Sequence, residues 1–182
     1  MAVFFALASL ILPLLFSGLT FIFLLKLNML KKVAWPLDMG ITWRGKRLLG
    51  ENKTVRGPII MAFFTMLYGF LLFKVLPWEK SVFFSNRQVV LSYFLVGLAY
   101  SLGELPNSFL KRQLSIPPGG KVVKGVGKWF FSFLDLFDSL VACGVVYFFL
   151  FRLSLVVVAL AIFIGGMIHW GTDVLMKRWC LK

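Results

Sequence analysis

Five long, mostly apolar runs of residues constrain this chain more than any other feature of its sequence. A helix that crosses the hydrocarbon core of a bilayer needs about 20 apolar residues. The runs have close to that length and lie at about 2 to 25, 58 to 77, 88 to 106, 129 to 151 and 153 to 169. Because 60% of the 182 residues are hydrophobic, a soluble core of this size could not bury them all. The sequence therefore predicts an all-α integral membrane protein, with about five transmembrane helices in a single domain spanning residues 1–182.

The positions of the Lys and Arg side chains predict how these helices are oriented. Sixteen of the 20 basic residues lie in the first connection, the third connection and the tail, and four lie elsewhere. Cytoplasmic segments of membrane proteins carry an excess of Lys and Arg, so we expect a multi-pass protein of the cell membrane with its N-terminus outside and its C-terminus in the cytoplasm. Basic loops that face anionic lipid explain most of the net charge of +13, and no nucleic-acid partner is expected.

The third apolar run ends in a cluster of charged and polar residues. Their spacings of four, seven and eight residues from the first member place them on one face of a helix. They are Glu104, Ser108, Lys111 and Arg112. Gly103 and Pro106 are expected to break the helix within this cluster. Charged side chains at membrane depth are costly, and they usually mark a functional site.

A pair of aspartates lies near the start of the fourth apolar run. Asp135 and Asp138 are three residues apart, so they share one face of a helix. Hard cations such as Mg²⁺ prefer oxygen ligands of this kind. The pair could therefore present two carboxylates to one metal ion or to one set of phosphates.

The segment from 42 to 59 carries three glycines and five basic side chains, and it leads into the second apolar run. Pro58 suits the first turn of a helix. The backbone N–H groups of that turn, together with the helix dipole, would attract a phosphate. The side chains that could add charge or hydrogen bonds to such a phosphate are Asn52, Lys53, Thr54 and Arg56.

The same segment could also be a P-loop or a simple basic loop. Gly45 and Gly50 have the spacing of a P-loop, but two residues intervene before Lys53, and no strand is predicted ahead of the loop, so a P-loop is excluded. A basic loop that lies on anionic lipid without binding a nucleotide stays open.

The fifth apolar run ends in a polar stripe. His169, Asp173 and Lys177 recur every four residues, so they follow one face of a helix as it leaves the membrane. Asp173 could orient His169 or pair with Lys177. An alternative for His169, a satisfied interfacial side chain near Trp170, is equally compatible with the sequence.

Two motifs resemble those of a known enzyme family. The run SFLKR, Ser108 to Arg112, followed by DLFDS, Asp135 to Ser139, resembles the signature of the CTP:phosphatidate cytidylyltransferases. The upstream run KRLLGENKTVRG, residues 46–57, resembles a signature of their short archaeal branch, the CDP-archaeol synthases. The short chain, its five apolar runs and the polar stripe after His169 also fit that branch.

This resemblance implies a Mg²⁺- or Mn²⁺-dependent nucleotidyltransferase of phospholipid biosynthesis. Such an enzyme joins a lipid phosphate to the α-phosphorus of CTP and releases pyrophosphate. The lipid would be archaeol-phosphate-like or phosphatidate-like, and the site would open to the bilayer on the cytoplasmic face. A homodimer is compatible with the resemblance.

The expected roles fall into three overlapping groups. The candidate catalytic residues are Asp135, Asp138, Lys111 and Glu104. The candidate metal ligands are Asp135, Asp138 and Glu104. The candidate substrate-binding residues are Asn52, Lys53, Thr54, Arg56, Ser108, Arg112, His169 and Asp173.

A multi-pass protein that transports or merely binds anionic lipid or phosphate is the alternative. A transporter would also carry charge within the membrane. The sequence, however, has no internal repeat, and its candidate acidic residues lie near one face rather than in mid-span. A non-catalytic scaffold would not need paired carboxylates opposite a basic cluster.

Overall fold

The computed structural model describes residues 2–75, 85–120 and 126–178. Over these ranges the chain forms five long helices, each long and apolar enough to cross a membrane. They are α1 (Ala2–Lys26), α2 (Arg56–Val75), α3 (Asn86–Gln113), α4 (Val126–Leu150) and α5 (Leu155–Arg178). The predicted all-α class and number of spans are confirmed for the described residues. The predicted end of the second span at residue 77 lies outside them.

The outer surface of the helices is apolar. Large hydrophobic side chains on each of them are more than half exposed, among them Phe23, Phe63, Leu91, Val145 and Phe163. A soluble protein rarely leaves such side chains in contact with water over a wide surface. Exposure of this kind on every helix is what a bilayer environment requires.

Two of the helices are longer than their apolar runs. The third run predicted a helix ending near 106, but α3 continues to Gln113, and α5 continues past the predicted end at 169 to Arg178. The expected break at Gly103 and Pro106 is wrong, because α3 is helical through both residues. Proline removes one backbone donor, and a membrane helix packed against its neighbours tolerates that loss.

Gly103 has a packing role instead. A Cβ atom at this position would lie 2.7 Å from the Cβ of Ala142 and 3.0 Å from the carbonyl oxygen of Asp138. Only a glycine therefore allows α3 and α4 to approach this closely. Gly97 allows a similar approach on the other side of α3, where its Cβ would lie 2.4 Å from the carbonyl oxygen of Met61 in α2.

Two buried tyrosine hydroxyl groups form hydrogen bonds between helices in the core. Tyr93 of α3 donates to the carbonyl oxygen of Ser9 at 3.1 Å, and Tyr147 of α4 donates to that of Leu10 at 2.7 Å. Both tyrosines are buried, so each needs such a partner. These bonds hold α1 against α3 and α4.

Residues 27–55 fold into a compact loop with a small hairpin. A 3₁₀ turn at Lys31–Val33 precedes β1 (Thr42–Trp43), which pairs antiparallel with β2 (Lys46–Arg47). Arg44 and Gly45 form the connection with φ values of 51° and 75°. Positive φ at both positions is typical of a type I′ hairpin turn. Gly45 thus makes a hairpin turn, which agrees with the exclusion of a P-loop.

Asp38 organises this loop. Its buried carboxylate accepts hydrogen bonds from Arg47 Nη2 at 2.8 Å and from the backbone N–H groups of Gly40, Leu49 and Gly50, each at 3.1 Å. Burial acts to raise the pKa of Asp38, but these hydrogen bonds outweigh it and hold the pKa well below its usual range. The charged form of Asp38 is therefore part of the fold.

The fourth and fifth helices form the tight pair that the sequence predicted. Residues 151–154 alone connect α4 to α5, with Arg152 at a φ of 50°. Backbone in the left-handed region lets the chain reverse its direction here within a few residues. The pair therefore returns α5 alongside α4, with the His169 end of α5 near the Asp135 end of α4.

Candidate active site

A large polar cavity lies where the second half of the loop of residues 27–55 meets the C-terminal parts of α3 and α5 and the first half of α4. It encloses about 1310 Å³ of space, including its open mouth. Its lining combines carboxylates, Lys and Arg side chains and the backbone of Gly119 and Gly120. Charges of both signs around one cavity are the feature that a site for a metal ion and phosphates requires.

One face of α3 supplies the centre of the cavity. Its buried side chains come in two adjacent pairs, about one helical turn apart. They are Asn107 and Ser108, followed by Lys111 and Arg112. This face can lie deep in the protein because Gly103 admits α4 at close range. Buried charge at such positions must be paired or hydrogen-bonded.

The two aspartates of α4 meet this face directly. Asn107 Nδ2 donates to Asp135 Oδ1 at 2.8 Å and to Asp138 Oδ2 at 3.0 Å. Lys111 forms an ion pair with Asp135. The backbone N–H of Ser139 donates to the other oxygen of Asp138 at 2.7 Å. We call Asn107, Lys111, Asp135 and Asp138 the aspartate cluster.

The loop reaches the cavity through contacts with α3. Lys53 forms an ion pair with Glu104, and Lys46 Nζ donates to the carbonyl oxygen of Gln113 at 2.5 Å. Gly50 has a φ of 99°, and a Cβ atom there would lie 3.0 Å from Arg112 Nη1. A side chain at position 50 would be strained by its backbone and would crowd Arg112. The glycine therefore lets the loop close over the end of α3.

Arg112 is fixed beside the loop. Its Nη2 donates to the carbonyl oxygen of Pro117 at 3.0 Å. Within the described part of the chain, its buried Nε has no hydrogen-bond partner. An unsatisfied buried guanidinium donor is costly, so a bound anion would stabilise this arrangement.

Comparison with known proteins places these residues in a family. Residues 39–154 match the model of the Cytidylyltransferase family. This chain belongs to that family. The matched region is more than half of the chain, and it contains the loop, the α3 face and both aspartates. His169 and Asp173 lie beyond it.

The curated relatives of this cytidylyltransferase include three proteins that are named CDP-archaeol synthase. The Pyrococcus furiosus protein is 32% identical over 144 residues, which cover 79% of this chain and 78% of the relative. The Pyrococcus horikoshii protein is 29% identical, and the match covers 76% of this chain and 75% of the relative. The Thermococcus kodakarensis protein is 28% identical, and the match covers 79% of this chain and 77% of the relative. No solved structure gives a significant match.

Ten of the twelve predicted site residues of this cytidylyltransferase line the polar cavity. They are Asn52, Lys53, Glu104, Ser108, Lys111, Arg112, Asp135, Asp138, His169 and Asp173. Thr54 and Arg56 do not line it. Thr54 pairs with Pro36 in the loop, and Arg56 begins α2. Their roles as substrate contacts remain predictions, and the side chain of Lys177 lies outside the described residues.

Asn107 was not predicted from the sequence, although a signal for it was present. It follows Glu104 by three residues and precedes Lys111 by four, so it shares their helical face. Ser108, the uncharged member of the predicted cluster, belongs to the run SFLKR that carries the resemblance, whereas Asn107 lies just before that run. Ser132, which also lines the cavity, likewise lies outside the runs that carry the resemblance.

The aspartate cluster has the donor chemistry that Mg²⁺ prefers. Asp135 and Asp138 supply carboxylate oxygens, and Asn107 Oδ1 is buried without a hydrogen-bond partner among the described residues. If the Asn107 amide turned over, that oxygen would face the carboxylates in place of the NH₂ group. Within the described ranges no three His, Cys, Asp or Glu residues form a metal-binding group. Glu104 as a third metal ligand therefore remains a prediction.

Proposed function

We propose that this protein transfers the cytidylyl group of CTP to a membrane lipid phosphate, in phospholipid biosynthesis. A phosphate oxygen of the lipid attacks the α-phosphorus of CTP, the bond from that phosphorus to the bridging oxygen breaks, and pyrophosphate leaves. The products are a CDP-activated lipid and pyrophosphate. The observation that carries the proposal is the aspartate cluster, which faces the basic side chains of one cavity in a membrane-spanning member of the Cytidylyltransferase family.

The lipid that we favour is archaeol-phosphate-like. The support comes from the relatives from Pyrococcus and Thermococcus, which cover most of this chain and are named CDP-archaeol synthases. A phosphatidate-like lipid is the alternative, since both lipids present the same phosphate monoester to the cavity.

The reaction does not require a general base from the protein. A phosphate monoester carries a charge of about −1.5 to −2 at neutral pH, so the attacking oxygen is already ionised. The difficulty is to bring this anion beside a triphosphate, which repels it. Lys53, Lys111 and Arg112 lie around the same cavity and would offset that repulsion.

The aspartate cluster is the place where a Mg²⁺ ion would be held. Asp135 and Asp138 would bind it, with the Asn107 oxygen as a third protein donor. When bound, the ion supplies charge neutralisation at the triphosphate and the departing pyrophosphate. Lys111, which forms an ion pair with Asp135 and lines the cavity, would add positive charge beside the phosphates.

The cytoplasmic side of the membrane is the side that we assign to the cavity. The support is the 16 to 4 distribution of basic residues between the two faces, together with the location of the nucleotide pool. Assembly as a homodimer remains a prediction.

Purified protein with CTP, archaeol phosphate and Mg²⁺ tests this function. We expect formation of CDP-archaeol with equimolar pyrophosphate, and loss of both in excess EDTA. Asp138→Asn should abolish turnover because it removes a metal-binding charge while keeping the side-chain shape. Glu51→Gln removes a charge from an exposed loop residue and is the matched control. Full activity in Asp138→Asn would remove the aspartate cluster from the mechanism, and no product from the wild type with archaeol phosphate or phosphatidate would overturn the reaction.

A further inference from the structure

A second, apolar cavity lies beside the polar one. It is lined by α1, α4 and α5, with Tyr100 as the residue from α3. It encloses about 570 Å³ of space, its open mouth included. Leu10, Leu14, Gly18, Gly165 and Ile168 are among its lining residues.

The two cavities meet at His169. This side chain lines both of them, while Thr172 lines the apolar cavity and Asp173 the polar one. The last turns of α5 therefore form the border between a charged site and an apolar one. A ligand with an anionic head and an apolar body could occupy both cavities at once.

The shape of the apolar cavity suits a chain better than a headgroup. On α5 its lining extends from Ala161 to Thr172, a rise of about 16 Å at 1.5 Å per residue. A long and apolar space matches a hydrocarbon chain.

The polar groups at the far end of this cavity are satisfied within the protein. Tyr147 donates its hydroxyl hydrogen to the carbonyl oxygen of Leu10, and Cys143 Sγ donates to that of Val96 at 3.6 Å. These groups are thus not offered to a polar ligand. Apolar surface remains as the main attraction at that end, and its burial is favourable in proportion to area.

Gly18 gives the cavity part of its width. A Cβ atom built on this residue would meet no heavy atom within 4 Å, so the space beside it is open. Gly18 lies on α1 at the cavity wall. A larger side chain there would enter the cavity without forcing the backbone of a neighbouring helix to move.

We propose that the apolar cavity binds a hydrocarbon chain of the lipid phosphate, while its phosphate lies in the polar cavity beyond His169. This inference rests on the proposed function, since the lipid phosphate is the amphipathic substrate of that reaction. The cavity is partly open, and its walls belong to membrane-spanning helices. The chain therefore enters from the hydrocarbon region of the bilayer and the headgroup remains at the aspartate cluster.

A comparison of long and short chains tests the proposal. Gly18→Leu is assayed at saturating CTP with archaeol phosphate and with dihexylglyceryl phosphate, which has the same headgroup and much shorter chains. We expect kcat/KM for archaeol phosphate to fall at least tenfold, mainly through KM, with less than a twofold change for the short lipid. The KM of CTP, measured separately at saturating lipid, should also change less than twofold. Gly18→Ala should give a smaller loss in the same direction.

Gly171→Leu is the matched control. Gly171 is also helical and also has no heavy atom within 4 Å of its Cβ position, but it does not line either cavity. It should retain the kinetic constants of the wild type with both lipids. Equal losses on long and short lipids in Gly18→Leu, or no loss on the long one, would overturn the chain site.

Photolabelling separates failure of the chain site from failure of the reaction. Archaeol phosphate with a diazirine near the chain end should label α1 and α5 peptides in the wild type, and Gly18→Leu should lose that label even where no turnover occurs. Labelling that depends on Gly18 without any CDP-lipid product would retain the chain site and overturn the proposed reaction. Normal turnover, with the same labelling in Gly18→Leu as in the wild type, would retain the proposed reaction and overturn the chain site.

Discussion

The Asn107 amide lies between Asp135 and Asp138 and donates to both, so it bridges the two carboxylates. Two carboxylates on adjacent helical turns repel each other unless a donor or a cation lies between them. The buried Oδ1 of the same amide has no partner among the described residues. One side chain could therefore stabilise the cluster in two ways, as a donor without a cation and as an oxygen ligand with one.

Asn107→Ala tests this dual role. We expect the Mg²⁺ concentration at half-maximal activity to rise about 10- to 100-fold, the usual cost of losing a group that binds or orients a metal site. The increase in melting temperature on adding Mn²⁺ without nucleotide should fall in parallel. Asn86→Ala, at the other end of α3, is the control. Reduced activity with unchanged dependence on both metals would leave Asn107 a purely structural contact.

Lys53 lies just before α2 and Arg56 is its first residue, but only Lys53 lines the polar cavity. Lys53→Gln should lower kcat/KM for CTP roughly 10- to 150-fold. That factor corresponds to a loss of about 1.5 to 3 kcal/mol in transition-state stabilisation, the range for a hydrogen bond to a charged group. Lys32→Gln is the control, since it removes the same charge from an exposed position of the same loop that does not line the cavity. It should change kcat/KM for CTP only slightly. Equal and modest losses in both variants would support a basic loop that only attracts anionic lipid.

Residues of the candidate site could be predicted from the sequence wherever charge and helical spacing coincide. Glu104, Lys111 and the two aspartates follow that rule, because a charged group in an apolar helix is costly and is rarely present without a function. Asp38 could not be predicted in this way. Its role depends on four donors that the loop brings to it, and no local spacing specifies such a closure.

Among the elements, α3 differs most from the structure that its sequence predicted. Glycine and proline within three residues predicted a break, yet the helix is continuous. The intrinsic cost of these residues is outweighed by packing, since Gly103 lets α4 approach and brings Asp138 to Asn107. The number of helices was predictable because apolar length alone determines it. How closely two helices approach depends on which glycine faces which neighbouring helix. A single sequence does not indicate these pairings.

The loop of residues 27–55 depends on Asp38 in its charged form. Asp38→Asn keeps one acceptor oxygen but turns an NH₂ group towards the remaining donors. Leaving buried donors unsatisfied costs about 1 to 3 kcal/mol, so we expect a lower melting temperature at pH 7. Because Lys46 and Gly50 of this loop contact α3, the affinity for CTP should fall as well.

The pH dependence of this effect has a definite sign. The pKa of Asp38 is lower in the folded protein than in the unfolded chain, where it is about 3.9. Its stabilising contribution is therefore fully present above about pH 4 and is lost as the pH falls below that value. The difference in melting temperature between the wild type and Asp38→Asn should be constant from pH 8 to 5 and shrink towards pH 3. A difference that does not change over this range would show that the charge of Asp38 is irrelevant to the loop.

The five helices place the polar cavity and the apolar cavity at different depths of the protein. The charged groups of the polar cavity lie towards the loop end of the helix bundle, in the last turns of α3, up to the midpoint of α4 and in the second half of α5. The apolar cavity extends from that end towards the opposite one, along α1 and α5. An amphipathic substrate could therefore stay partly in the bilayer while its phosphate reacts with a water-soluble nucleotide.

Orientation in the membrane decides whether that nucleotide is CTP of the cytoplasm. Lys31 and Arg152 are exposed basic residues in the described part of the chain, at opposite ends of the helices. In a background without Cys143 and Cys180, a membrane-impermeant thiol reagent applied to intact cells should label Arg152→Cys and spare Lys31→Cys. Lys31→Cys should react only after the membrane is opened, which checks that the position is accessible. Labelling of Lys31→Cys but not Arg152→Cys in intact cells would place the aspartate cluster on the outer face, where CTP is scarce, and would contradict both the positive-inside assignment and the proposed reaction.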